Sequence, residues 1–123
     1  MNHMNKMIFE SELKVMEILW NEGDTRAMDL AIKLNESTNW SKTTTYTVIK
    51  KCIEKGLIER IGDKFVCRAM ITKEAAQRTE LKILTDKMFD GSSDLLIALL
   101  LGGSNMNTSQ IKALRNVIQE FLV

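Results

Sequence analysis

Near Gly56 the apolar residues of this chain change their spacing, and few small folds accommodate such a change. Upstream they recur every three or four residues, as the buried stripe of an amphipathic helix does. Downstream, Leu57-Ile58-Glu59-Arg60-Ile61 and Phe65-Val66-Cys67-Arg68-Ala69 are short β-prone runs around Gly62-Asp63-Lys64. Turn residues between two alternating apolar runs predict a hairpin. Ahead of it, Leu13, Met16 and Trp20, with Val15 and Leu19 beside them, predict a helix closed by Gly23. Asp24 or Thr25 is placed to cap a second helix with Ala27, Ala31 and Leu34 as its stripe. A third opens at Ser41 and runs to Gly56. Three helices and then a hairpin is the order of a winged helix, although the same order serves other folds.

Beyond Met70 the pattern is helical again. Thr72 is placed to cap a helix reaching Phe89 and ended by Asp90-Gly91. Ser92 or Ser93 then caps a short apolar helix, Leu95 to Leu101, stopped by Gly102-Gly103. Asn107-Thr108-Ser109-Gln110 reads as a capping box for a last helix. In it Ile111, Leu114, Ile118 and Phe121 alternate at spacings of three and four, a heptad-type seam. Three apolar stripes attached to a domain that closes its own core need a surface to bury them, and a second copy of the chain provides one. The expected architecture is therefore mainly α: a winged helix-turn-helix of three helices plus a β-hairpin wing over residues 1–71, then a three-helix dimerisation region over 72–123. The residues expected to hold the dimer are Leu84, Met88, Leu96, Leu99, Leu100, Ile111, Leu114, Ile118 and Phe121.

The third helix carries the functional signal. At 100° per residue, Thr45, Val48, Ile49, Cys52 and Ile53 share one face, which must be the buried one. The opposite face shows Thr43, Thr47, Lys50 and Lys51, flanked by Thr44 and Tyr46. Threonine offers a hydroxyl to either kind of base edge and a methyl to the methyl of thymine. Lysines farther along can meet phosphates, Tyr46 can bond a phosphate or pack on a sugar, and the free amides near Ser41 make a further phosphate site. Threonines and lysines also populate ordinary solvated faces, but three threonines in a row are a poor choice for opening a helix.

The net charge of +1 conceals an uneven distribution. Residues 1–40 carry four basic and seven acidic side chains, a balance of −3, whereas residues 41–71 carry seven basic and three acidic, a balance of +4. Positive charge is gathered where the helix and hairpin lie, which favours a polyanionic partner. Other classes are excluded more firmly. The longest apolar run, Leu95 to Leu101, is far short of the ~20 residues that span a bilayer. The polar stretch Met1 to Lys6 leads into no export signal, so a cytoplasmic location and no membrane partner are expected. Cys52 and Cys67, with His3 as the only histidine, do not make a metal site and are read as small buried hydrophobes. Trp20 and Trp40 are read as core packing. No catalytic constellation and no phosphate-binding glycine loop is present, so neither an enzyme nor a cofactor is expected.

With these residues in view, the chain resembles the penicillinase-repressor family of winged-helix transcriptional repressors (the BlaI/MecI type) over nearly its whole length. Glu12 to Trp20 looks like that family's first-helix signature. Trp40-Ser41, followed by Thr44, Thr47, two apolar residues, a basic residue and Lys55-Gly56, looks like its recognition helix. Asp86-Lys87-Met88-Phe89-Asp90-Gly91-Ser92 resembles the motif joining its dimerisation helices, and Leu114-Arg115-Asn116 fits its final helix.

The resemblance implies a homodimeric, sequence-specific repressor on dyad-symmetric operators of antibiotic-resistance or stress genes, relieved through an inducing protease or sensor system. It implies base contacts from Thr43, Thr44, Tyr46 and Thr47, and phosphate contacts from Ser41, Lys42, Lys50, Lys51 and the wing around Lys64. Phe9 stands where the family usually has a capping serine, the wing is short, and Tyr46 occupies a position often basic. The Asn–Phe pair at which antibiotic-sensing members are cut falls on Leu99–Leu100, so derepression by another cut site or by a ligand is expected. The competing reading from the residues is a winged helix used for protein–protein contact through the acidic residues 1–40 and the C-terminal helices.

Overall fold

Gly23 ends the first helix where its apolar stripe runs out. Its φ of +83° is open to glycine and strained for other residues, and its N–H closes on the Leu19 carbonyl. The computed structural model describes residues 7–102 and 105–122, the side chains of 121 and 122 excepted. It begins with helix α1 (Glu10–Glu22), continues through α2 (Ala27–Thr38) and reaches α3 (Lys42–Glu54). Asn39 stops α2 in the left-handed region at φ +62°. Ser41 caps α3 as expected, its Oγ accepting the Thr44 N–H at 3.1 Å.

Three strands complete this part: β1 (Thr25–Arg26), β2 (Ile58–Ile61) and β3 (Val66–Ala69). They form an antiparallel sheet in the order β1-β3-β2. The register places Arg60 and Thr25 on either side of Cys67, and Ile61 opposite Val66. Three helices with this sheet constitute a winged helix, and the chain is mainly α.

Two local expectations change. Neither Asp24 nor Thr25 caps α2: Arg26 occupies the cap and lends it no side-chain bond. The cause is β1, since the first amide of α2, Ala27 N–H, goes to the Phe65 carbonyl at 2.9 Å. Thr25 instead donates its hydroxyl to the Gly23 carbonyl, and Asp24 pairs with Arg68 at 3.0 Å. Phe65, expected to open the second strand of the hairpin, lies in the turn at φ +50°, so the wing loop runs through Gly62, Asp63, Lys64 and Phe65.

The core is built as the periodicity requires. Val15, Met16 and Leu19 meet Ala27, Leu30 and Leu34 from α2, Val48, Ile49 and Cys52 from α3, and Ile58 and Cys67 from the sheet. Each large apolar side chain removed from water contributes about 1.5–3 kcal/mol. Leu13 lies off this stripe and is 37% exposed. Trp20 packs against the cluster and donates its indole N–H to the Ile71 carbonyl at 2.9 Å, and Trp40 also packs there. Burial pushes the Cys52 thiol up to about 12 and the Cys67 thiol to about 11.

The chain divides into two compact units, one ending at Ala76 and one starting at Gln77. The remaining helices are α4 (Lys73–Met88), α5 (Ser93–Leu101) and α6 (Thr108–Leu122). Thr72 accepts the Ala75 N–H ahead of α4, and Ser92 caps α5. Asn107 and Gln110 form the expected reciprocal box before α6, at 3.0 and 2.8 Å. Helix α5 packs on α6, and Asp94 pairs with Arg115 at 3.4 Å. Gly103 and the Phe121 side chain lie outside the described residues.

Candidate nucleic-acid interface

Helix α3 has two chemically distinct sides. Thr45, Val48, Ile49 and Cys52 are buried, as the 100° spacing requires, with Ile53 half-buried beside them. Lys42, Thr43, Thr44, Thr47, Lys50 and Lys51 are exposed. Of these, Lys42, Thr43, Thr47 and Lys50 line one open groove together with Tyr46. Five of the nine residues expected to meet DNA thus share one groove, and Lys51 is exposed next along the helix. Ser41 and Lys64, also exposed, stand at the start of the helix and at the wing turn.

Hydrogen bonding distinguishes the hydroxyls. Thr47 Oγ1 donates to the Thr43 carbonyl at 2.9 Å, so its hydroxyl proton is engaged and what remains for a ligand is an acceptor oxygen and a methyl. Ser41 Oγ and Thr44 Oγ1 lie 3.0 Å apart, and Ser41 Oγ also holds the Thr44 amide. This pair is engaged in starting the helix, which leaves Thr43 and Thr47 as the hydroxyls better presented to a ligand.

An aromatic ladder joins helix to wing. The Tyr46 and Phe65 rings meet edge to face, with centroids 5.8 Å apart and an interplanar angle of 75°. Lys42 Nζ lies 5.6 Å from the Tyr46 centroid, and the Arg60 guanidinium carbon lies 4.1 Å from that of Phe65. Sequence reasoning singled out neither Phe65 nor Arg60. The available signal was an arginine at an inward position of β2, in alternation with Ile58.

The other end of α3 is anchored internally. Lys55 Nζ donates to Glu12 Oε1 and to the Met7 carbonyl, both at 2.8 Å, and lies 3.8 Å from the Phe9 ring centroid. Glu12 Oε1 also accepts the Phe9 N–H at 2.8 Å. Glu12 thus supplies the carboxylate half of a capping box at the start of α1, while Phe9 supplies no side-chain half, and it also holds the far end of α3.

The residues expected to form the dimer fall into two groups. Leu84, Met88, Leu99 and Leu100 are exposed, Met88 and Leu99 at 66%. Ile111, Leu114 and Ile118 are half-buried along α6, and exposed Val117 adds to the apolar surface of that helix. Leu96 differs: at 4% exposure it is already enclosed within its own chain, with Ile97. Among the described residues no group of His, Cys, Asp and Glu side chains is placed to hold a metal, and no helix is long and apolar enough to cross a membrane.

Comparison with known proteins agrees with this geometry. A family model described as penicillinase repressor matches residues 8–120. The methicillin resistance regulatory protein MecI of Mammaliicoccus sciuri is 22% identical over 98% of this chain and 99% of its own. The penicillinase repressor of Bacillus licheniformis is 20% identical over 92% of this chain and 90% of its own. An uncharacterised 16.5 kDa protein of Latilactobacillus sakei is 24% identical over 90% of this chain and 77% of its own.

Proposed function

The chain belongs to the penicillinase repressor family, and on that premise we propose that it is a homodimeric repressor that reads dyad-symmetric DNA operators through α3. The observation that carries this reading is the division of α3, whose buried face closes the core while Lys42, Thr43, Tyr46, Thr47 and Lys50 line one open groove. Thr43 and Thr47 read base edges. Tyr46 lies beside them at the groove, Thr44 stands exposed at the start of the helix as a further base contact, and Ser41, Lys42, Lys50, Lys51 and Lys64 meet phosphates.

Residues 72–123 supply the dimer, with Leu84, Met88, Leu99 and Leu100 and the seam of Ile111, Leu114, Ile118 and Phe121 as its contacts. The exposure of four large apolar side chains there supports this. Two half-sites then lie a whole number of helical turns apart, each ~10 bp, because a twofold dimer addresses one side of the duplex. The targets are antibiotic-resistance or stress genes, the protein works in the cytoplasm, and induction comes from a protease or sensor system. No enzymatic step is part of this function.

A footprint on the DNA just upstream of this gene and its neighbours tests the proposal. Protection of two related half-sites is the expected result. No retention on heparin, together with no protected site, refutes it and leaves a protein-binding winged helix.

A further inference from the structure

Strand β2 holds a basic residue where its alternation calls for a buried one. Ile58 is buried and Glu59 exposed, so Arg60 emerges on the same face as Ile58, the side on which β2 packs against α3. Among the described residues no carboxylate pairs with Arg60. Arg68, on the other face of the sheet, has its partner in Asp24. The Arg60 guanidinium rests instead 4.1 Å from the Phe65 centroid, and Phe65 stands edge-on against Tyr46 at the α3 groove. Stacking on a ring fixes the plane of a guanidinium and leaves its N–H fork unsatisfied.

Phe65 strengthens the case. Its φ of +50° lies where bulky residues are strained, yet an aromatic occupies the site. An asparagine or glycine would ease the backbone there but would support neither Tyr46 nor Arg60.

Resting on the DNA-binding reading above, we propose that Arg60 is a further DNA-contacting residue, a phosphate fork held on the Phe65 ring. The interface then extends off α3 and onto the inward edge of the wing. Guanidinium suits this task better than ammonium because two of its parallel N–H groups match two phosphate oxygens. Phe65 acts as a positioning residue for Arg60 and Tyr46.

The test measures binding of the full-length protein to a random-sequence DNA duplex across a salt series. Arg60→Gln is expected to fold, with a melt lowered only slightly by loss of the exposed contact with Phe65, and to lower the slope of log K against log salt by about 0.9. Arg60→Lys keeps the charge and should keep the slope. Phe65→Leu keeps the Arg60 charge but removes its platform and should weaken binding to the same duplex. A wild type that binds while Arg60→Gln retains the full slope overturns the assignment of Arg60 alone. Phe65→Leu binding as tightly as wild type overturns the platform. A wild type that does not bind the duplex overturns the DNA reading, and this assignment with it.

Discussion

Lys33–Glu22 and Lys55–Glu12 are ion pairs of equal length, both 2.8 Å, in unequal surroundings, and removing each lysine separates burial from contact as the source of stability. The Lys55 and Glu12 side chains are 19% and 1% exposed, those of Lys33 and Glu22 43% and 46%. Lys55→Met leaves the Glu12 carboxylate buried, with the Phe9 N–H on Oε1 and nothing on Oε2. Stranding a buried charge in this way costs about 3–5 kcal/mol. The lost contact with the Phe9 ring accounts for about 0.5–2 of that. Lys33→Met ruptures a solvated pair and should cost far less than Lys55→Met. Replacing both partners, as Lys55→Met with Glu12→Met, removes the stranded charge and should recover part of the loss. Urea unfolding followed by tryptophan fluorescence at one fixed protein concentration measures this directly, since Trp20 and Trp40 both report on the unit that contains the pair. Equal costs for Lys55→Met and Lys33→Met would refute the argument from burial.

Other outcomes follow from the same structure. Thr47→Ala should weaken operator binding by roughly 1–3 kcal/mol and leave random-duplex binding almost unchanged; a normal footprint would remove α3 as the reader. Lys50→Ala or Lys51→Ala should weaken both and flatten the salt dependence by about one unit of slope, measured by the same titration. Leu99→Asp should turn the dimer into a monomer in sedimentation and reduce operator affinity, because it places a charge on an exposed apolar side chain of the proposed contact. Cys52 and Cys67 should resist a thiol reagent in the native protein at pH 8 and both react in urea. Because folding raises both thiols from 9.0, to about 12 and about 11, the native state holds its protons more tightly than the unfolded chain. The stability they confer is therefore full below pH 9 and declines as pH rises through 11, which alkaline melting curves check.

Local signals announced the elements that local chemistry specifies. Ser41, Gly23 and the Asn107–Gln110 box each act within one turn of the residue that bears them, and all behave as their spacing implies. The two-residue strand β1 had no such signal, since alternation cannot be seen in Thr25-Arg26. It exists because β3 offers a partner some forty residues away. Phe65 misled for a related reason. An aromatic beside Val66 reads as strand, but contacts with Tyr46 and Arg60 hold it in a turn conformation that its own preference opposes. On α3 the helical period separated the buried face from the exposed one. It could not reveal that the Ser41 and Thr44 hydroxyls engage each other, or that Phe65 and Arg60 continue the row from Tyr46 onto β2.

The two sides of α3 also bear on how such a protein diversifies. Residues 43, 47, 50 and 51 are exposed and contribute nothing to the apolar cluster that closes the fold. Most substitutions put a protein at risk by lowering its stability, and surface changes away from packed or capped sites seldom do so. A gene copy could therefore drift through many combinations at these four positions while still folding. Under the proposed reading, new operator preferences become accessible one step at a time, with few intermediates that fail to fold, and a combinatorial library confined to these positions should yield mostly folded members.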